Sequence, residues 1–195
     1  MAYNPKDHYF HKAKKENFVA RSVFKLEEID QKYKILRGAQ FVVDLGCSPG
    51  SWTQYVLKAS PKSQVVGIDL QNVTIKDPRF HFERADIYNF DLSAYVHDKF
   101  GADAVDVVLS DMAPKTTGIR STDQARSFDL CLMALDVAKK HLKKNGHFVC
   151  KFFHSEDFSQ LHQEIKKVFA KVEILKPDST RKISKEIFLV GLNKK

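Results

Sequence analysis

A doubly wound α/β sheet, mostly parallel with an antiparallel C-terminal strand, is the fold class predicted by three features of this 195-residue chain. Short apolar runs alternate with stretches of helical spacing from residue 41 onward. The first apolar run leads through a glycine-containing loop into a helix, the opening of a βαβ unit. The last two runs are joined by a link at 176–185 that is too short for a helical crossover, so that pair is expected to be antiparallel.

Residues 20–34 place Val23, Leu26, Ile29 and Tyr33 near helical spacing, which predicts a basic-flanked helix ahead of the first strand. Residues 41–45 form a short apolar strand, and the helix after the loop carries Trp52, Tyr55, Val56 and Leu57. Further strands are predicted at 65–70, around 80–82, at 105–109 and at 147–153, with helical segments between them. The clearest helix runs over 123–142: Ser121 with Gln124 resembles a capping box, and Gly146 follows the basic last turn. Two strands at 172–175 and 186–192 close the chain.

A 43% hydrophobic content at this length supports one core, so a single domain over 1–195 is expected, with a basic helical extension at about 1–37. Charge interrupts residues 1–15 every few positions, which excludes a signal peptide or membrane span there. Cys47, Cys131 and Cys150 form no CxxC pair, which argues against a disulfide framework or a metal site and for a reducing, cytoplasmic compartment. A monomer is expected. The net charge of +8 is unevenly spread: residues 1–37 and 176–195 carry +4 each, whereas 38–175 hold seventeen residues of each sign. Excess charge confined to the two ends of a neutral core suits a phosphate-contacting surface and an RNA partner.

Asp44-Leu45-Gly46-Cys47-Ser48-Pro49-Gly50-Ser51-Trp52 lies where the first strand turns into its helix. It lacks the G-x-G-x-x-G spacing that a pyrophosphate requires, which disfavours a nicotinamide-dependent dehydrogenase. Asp69 ends the second strand nineteen residues after Gly50, where a carboxylate can accept hydrogen bonds from both ribose hydroxyls of an adenosine. Asp86 follows the third strand, within reach of an adenine amino group, and Asp111 follows the fourth. Three acids at the carboxyl ends of successive strands make a negative field suited to a sulfonium cofactor, S-adenosylmethionine. Asp111 and Lys151 each end an apolar strand, and because an unpaired buried charge is costly they are expected to face a cleft and each other. Taken singly, Lys25 and Glu186 are uninformative, because a helix lysine and a strand-end glutamate are usually solvated.

Assembled in order, Ala20-Arg21-Ser22-Val23-Phe24-Lys25-Leu26, Val43-Asp44-Leu45-Gly46, Ser48-Pro49-Gly50-Ser51-Trp52, Ser110-Asp111-Met112-Ala113-Pro114, Lys151, Lys176-Pro177-Asp178-Ser179-Thr180-Arg181 and Lys185-Glu186 resemble the FtsJ/RrmJ family of ribosomal RNA 2′-O-ribose methyltransferases over nearly the whole chain. The resemblance implies a Rossmann-like sheet of the S-adenosylmethionine-dependent type. It also implies a catalytic tetrad of Lys25, Asp111, Lys151 and Glu186, and cofactor contacts at Gly50, Trp52, Asp69, Asp86 and Asp111. The implied substrate is a uridine of 23S rRNA in the large ribosomal subunit. Ser51 departs from the glycine common in bacterial rRNA members and is similar to the Pro-Gly-Ser-Trp of tRNA-modifying ones, so tRNA is the alternative substrate; the short chain favours rRNA. A noncatalytic RNA-binding module is the remaining alternative, and the intact tetrad counts against it. Within the tetrad, Lys151 is the candidate to act on the 2′-hydroxyl, either as base or by orienting it while Asp111 or water takes the proton.

Overall fold

The computed structural model describes residues 7–115 and 117–195. Its centre is a seven-stranded sheet in the order β3-β2-β1-β4-β5-β7-β6, built from β1 (Phe41–Leu45), β2 (Gln64–Asp69), β3 (Phe80–Arg84), β4 (Val105–Ser110), β5 (Leu142–Phe153), β6 (Phe169–Leu175) and β7 (Glu186–Lys194). All strands run parallel except β7, which pairs antiparallel with both β5 and β6. The doubly wound fold and its antiparallel C-terminal strand are therefore as expected, with β7 inserted between β5 and β6.

Helices cover both faces. On one, α2 (Val23–Tyr33) and α3 (Ser51–Ala59) pack Phe24, Leu26, Ile29, Trp52 and Val56 against Val42, Val107, Val149 and Phe188. On the other, α4 (Leu92–Phe100), α5 (Arg120–His141) and α6 (Phe158–Val168) bury Leu92, Leu135, Leu161 and Ile165 on Val43, Leu45, Phe148 and Phe152. Strand alternation sends neighbouring residues to opposite faces, so both sides of the sheet are apolar, as a parallel sheet requires. The strand order reverses between β1 and β4, and such a switch point opens a crevice at the carboxyl ends of the strands.

The basic extension folds as two helices, α1 (His8–Lys15) and α2, separated by a bend at which Asn17 adopts a positive φ; residues 1–6 of it lie outside the described residues. Two expectations about α5 need correction. Its N-cap is Ile119 with no capping side chain, so Ser121 lies inside the helix. Gln124 instead donates to the carbonyl of His154 at 2.9 Å. Gly146 does not cap it either, because α5 ends at His141 and β5 follows directly. The pairing with β4 then jumps from Leu142 opposite Val105 to His147 opposite Val107, so residues 143–146 bulge out before the regular strand begins.

Candidate active site at the carboxyl ends of β1, β4 and β5

The turn after β1 brings the chain back across the top of the sheet through two left-handed glycines, Gly46 at φ +69° and Gly50 at φ +111°. A Cβ on Gly50 would stand 2.7 Å from Ile75 Cδ1, the movable end of a side chain, so it is the φ of +111° that demands glycine there. Asp69 holds this turn: its Oδ2 accepts from the Ser48 amide at 2.9 Å, and its Oδ1 accepts from the Gln71 amide at 2.7 Å. Each oxygen keeps a second lone pair for a ligand hydroxyl. Asp86 is exposed after β3 and caps a short 3-10 turn by accepting from the Tyr88 amide.

Asp44, in the middle of the sheet, is fully buried. Its Oδ2 accepts from Thr53 Oγ1 at 2.7 Å, and its Oδ1 has no hydrogen-bond partner among the described residues. Burial pushes this carboxyl up to about 7; the nearby charges of Asp111 and Asp69 add to the rise, and the Thr53 bond works against it. A carboxyl near 7 in the folded state and about 3.9 in the unfolded chain favours folding in its protonated form. Stability is thus expected to fall as pH rises from about 4 to about 7, by on the order of 4 kcal/mol, and then to level. Urea unfolding across that range should reveal this slope, and Asp44→Asn should remove it.

The four tetrad candidates form two ion pairs. Lys151 Nζ lies 2.9 Å from Asp111 Oδ1 and donates to the Asp111 carbonyl at 2.6 Å, the contact anticipated from the two strand ends. Lys25 pairs with Glu186, a contact that neither residue signals by itself in the sequence. The two pairs meet around Phe188: that residue is opposite Lys151 in the β5–β7 ladder, and Lys25 Nζ lies 5.9 Å from its ring centroid. The four side chains keep between 9% and 19% exposure, enough to be reached yet desolvated enough for their charges to interact strongly.

The indole of Trp52 is buried and donates to the Ser22 carbonyl at 2.9 Å, so contact with a ligand at this residue would run through its backbone. Sequence reasoning missed a second tie beside it. Ser22 and Ser51 share a hydroxyl hydrogen bond of 2.7 Å, which links the helix of Lys25 to the loop after β1. The only sequence signal for it is the unusual serine at position 51. A third tie joins the two charged ends: Glu28 accepts from the amides of Asp178 and Ser179, and Arg21 donates to the Ser179 carbonyl. Among the described residues, no group of three or more His, Cys, Asp or Glu could hold a metal ion.

This arrangement can take a cationic ligand. Asp69 and Asp111 lie close enough to raise the proton affinity of Asp44, and the unpartnered Asp44 oxygen adds an acceptor in need of a donor. Residues 18–194 match the model of the FtsJ-like methyltransferases. The chain is 62% identical to a ribosomal RNA large subunit methyltransferase E from Bdellovibrio bacteriovorus, with 100% of both chains covered. It is 48% identical to the protein of the same name from Desulfatibacillum aliphaticivorans, over 97% of this chain and 91% of that one. Among solved structures it resembles a Plasmodium falciparum chain named as a ribosomal RNA methyltransferase, with a TM-score of 0.81 and 26% identity, covering 91% of this chain and 98% of the other.

Proposed function

The chain belongs to the FtsJ-like methyltransferase family, and on that premise we propose that it transfers a methyl group from S-adenosylmethionine to a ribose 2′-oxygen of large-subunit ribosomal RNA, a uridine of 23S rRNA. It is an RNA methyltransferase, and the observation that carries the finer reading is the Lys151–Asp111 contact at the mouth of the acidic crevice. The cofactor supplies an electrophilic methyl group on a sulfonium. Asp69 would hold its ribose hydroxyls with the free lone pairs, Asp86 its adenine amino group, and Asp44 and Asp111 would balance its positive charge. The backbone at Gly50 and Trp52 would line it.

Lys151 donates one N–H to the Asp111 carbonyl, and its ammonium lies 2.9 Å from the Asp111 carboxylate. Its remaining donors would hold the 2′-oxygen, so that Lys151 orients the hydroxyl as an ammonium, and the Asp111 carboxylate beside it would accept the hydroxyl proton. Glu186 holds Lys25, whose charge fixes the RNA against the crevice. The protein works as a monomer in the cytoplasm; among the described residues no helix is long and apolar enough to cross a membrane.

Incubation with labelled cofactor and, separately, naked 23S rRNA, large subunits and tRNA tests the substrate. Label is expected in the large-subunit RNA, and label confined to tRNA would overturn that part of the reading. The RNA path also predicts a salt effect. In α1, Lys14 and Lys15 are exposed, whereas Lys12 is engaged with Phe24, Glu16 and Glu27. Replacing Lys14 and Lys15 by glutamine should flatten the logarithmic salt dependence of RNA affinity by about two counterions' worth of slope, with cofactor affinity unchanged. Affinity measured across a salt series checks this.

A further inference from the structure

Three rings stack in a row where β5 leaves the sheet. His154 lies 5.3 Å from Phe158 with 18° between ring planes, and Phe158 lies 5.6 Å from His162 with 13° between planes. Phe158 is packed against the core and His162 is half-buried, but His154, at the outer end, is exposed. Its backbone is fixed on both sides: the amide donates to the Lys185 carbonyl at 3.0 Å, and the carbonyl accepts from Gln124. The outermost ring is thus held in place with one face open.

That open ring is three residues beyond Lys151, about 10 Å along an extended strand. It follows the register pair Phe153–Glu186 at the carboxyl edge of the sheet; strand alternation puts its ring on the α6 side with Phe158, and Lys151 on the α2 side with Phe188. A nucleotide whose ribose meets Lys151 carries its own base, or its neighbour's, over a comparable distance. The surrounding rim is apolar for a surface. Leu70, Tyr88, Ile119 and Ile183 are all well exposed, and each is in a segment that borders the carboxyl end of the sheet. They are spread along the carboxyl edge from β3 to the β6–β7 link, so that they line an edge along which an extended chain can lie. Single-stranded RNA is held by such surfaces, because every base has a π-face that stacks on aromatic rings.

We propose that His154, backed by Phe158 and His162, is a stacking platform for an unpaired nucleobase of the RNA substrate, either the target base or its immediate neighbour. The proposal rests on the RNA-methyltransferase reading above. In it the base extends the three-ring row outward, and the RNA crosses the carboxyl edge of the sheet from Lys151 on one face to His154 on the other.

A fluorescently labelled short oligouridylate, its abasic counterpart and the full-length chain test it by anisotropy. His154→Ala should weaken oligouridylate binding by about 5- to 100-fold, the range for loss of one base–aromatic stack. His154→Trp should bind at least as tightly as wild type, and the abasic probe should bind wild type and His154→Ala equally. The platform is overturned if His154→Ala binds oligouridylate like wild type, if wild type does not bind it, or if the loss is equal on the abasic probe. Methyl transfer by the wild-type protein is measured independently, so an active enzyme with an indifferent His154 rejects the platform alone. An enzyme that methylates no RNA rejects the underlying reading instead.

Discussion

Replacing Lys151 by alanine is expected to cut single-turnover methyl transfer by roughly 10²- to 10⁴-fold, the span of a lost acid–base or orienting group. The size follows from where the ammonium is fixed. The Asp111 carbonyl accepts from one of its N–H groups and the Asp111 carboxylate lies 2.9 Å away, so the ammonium is held in place while its other donors can hold a nucleophile. Removal leaves the 2′-oxygen free to rotate and leaves Asp111 without its cation. Cofactor affinity should stay within a few-fold, or improve, because one positive charge leaves the neighbourhood of the sulfonium. Glu186→Ala should cost less, since it deprives Lys25 of its partner and does not touch the Lys151–Asp111 contact. Rapid-quench assays at saturating RNA and cofactor, with calorimetry for binding, measure the two quantities separately. Near-wild-type turnover in Lys151→Ala with abolished turnover in Glu186→Ala would reverse the roles. Lost cofactor binding in Lys151→Ala would make this lysine a structural partner of Asp111.

Asp69→Ala should weaken S-adenosylmethionine binding by roughly 1.5 to 3 kcal/mol, the worth of hydrogen bonds to a charged group. This carboxylate also accepts from the Ser48 and Gln71 amides, so part of the loss reflects a loosened turn. Asp69→Asn separates the two contributions: one side-chain oxygen remains for the turn, but the charge and half the acceptors are gone. Calorimetry on both variants, with circular dichroism to verify folding, should rank them wild type, then Asn, then Ala. Unchanged affinity in a folded Asp69→Ala would remove Asp69 from the cofactor site.

The sheet was legible because its strands are short and apolar and are punctuated by turns. The first was expected at 41–45 and β1 spans Phe41–Leu45, and the expected strand at 147–153 coincides with the regularly paired part of β5. The ends of α5 were misread for a local reason. A Ser-x-x-Gln pattern specifies a cap only when the chain turns there, and here the tertiary contact of Gln124 with His154 takes the side chain elsewhere. Asp111 and Lys151 could be paired from sequence because each is a charge closing an apolar strand. The same reasoning applies to Asp44, one residue from the end of β1, yet its membership of a glycine-loop motif hid its burial. Lys25 and Glu186 carried no such signal. Their pairing is set by how α2 packs over β7, through Phe24 and Phe188, and spacing along the chain does not encode that. The meeting of the two charged ends, through Glu28 and residues 178–179, is likewise a product of tertiary packing.

A ribose oxygen, and not a base atom, is expected to receive the methyl group. Large-subunit RNA labelled by the wild-type protein should be digested under alkaline conditions and the label followed. A 2′-O-methyl group removes the hydroxyl that attacks the adjacent phosphate, so the label is expected to survive in an alkali-resistant dinucleotide and to be strongly reduced in product made with Lys151→Ala over the same short reaction time. Label released entirely in mononucleotides, with the methyl group on the base, would contradict it.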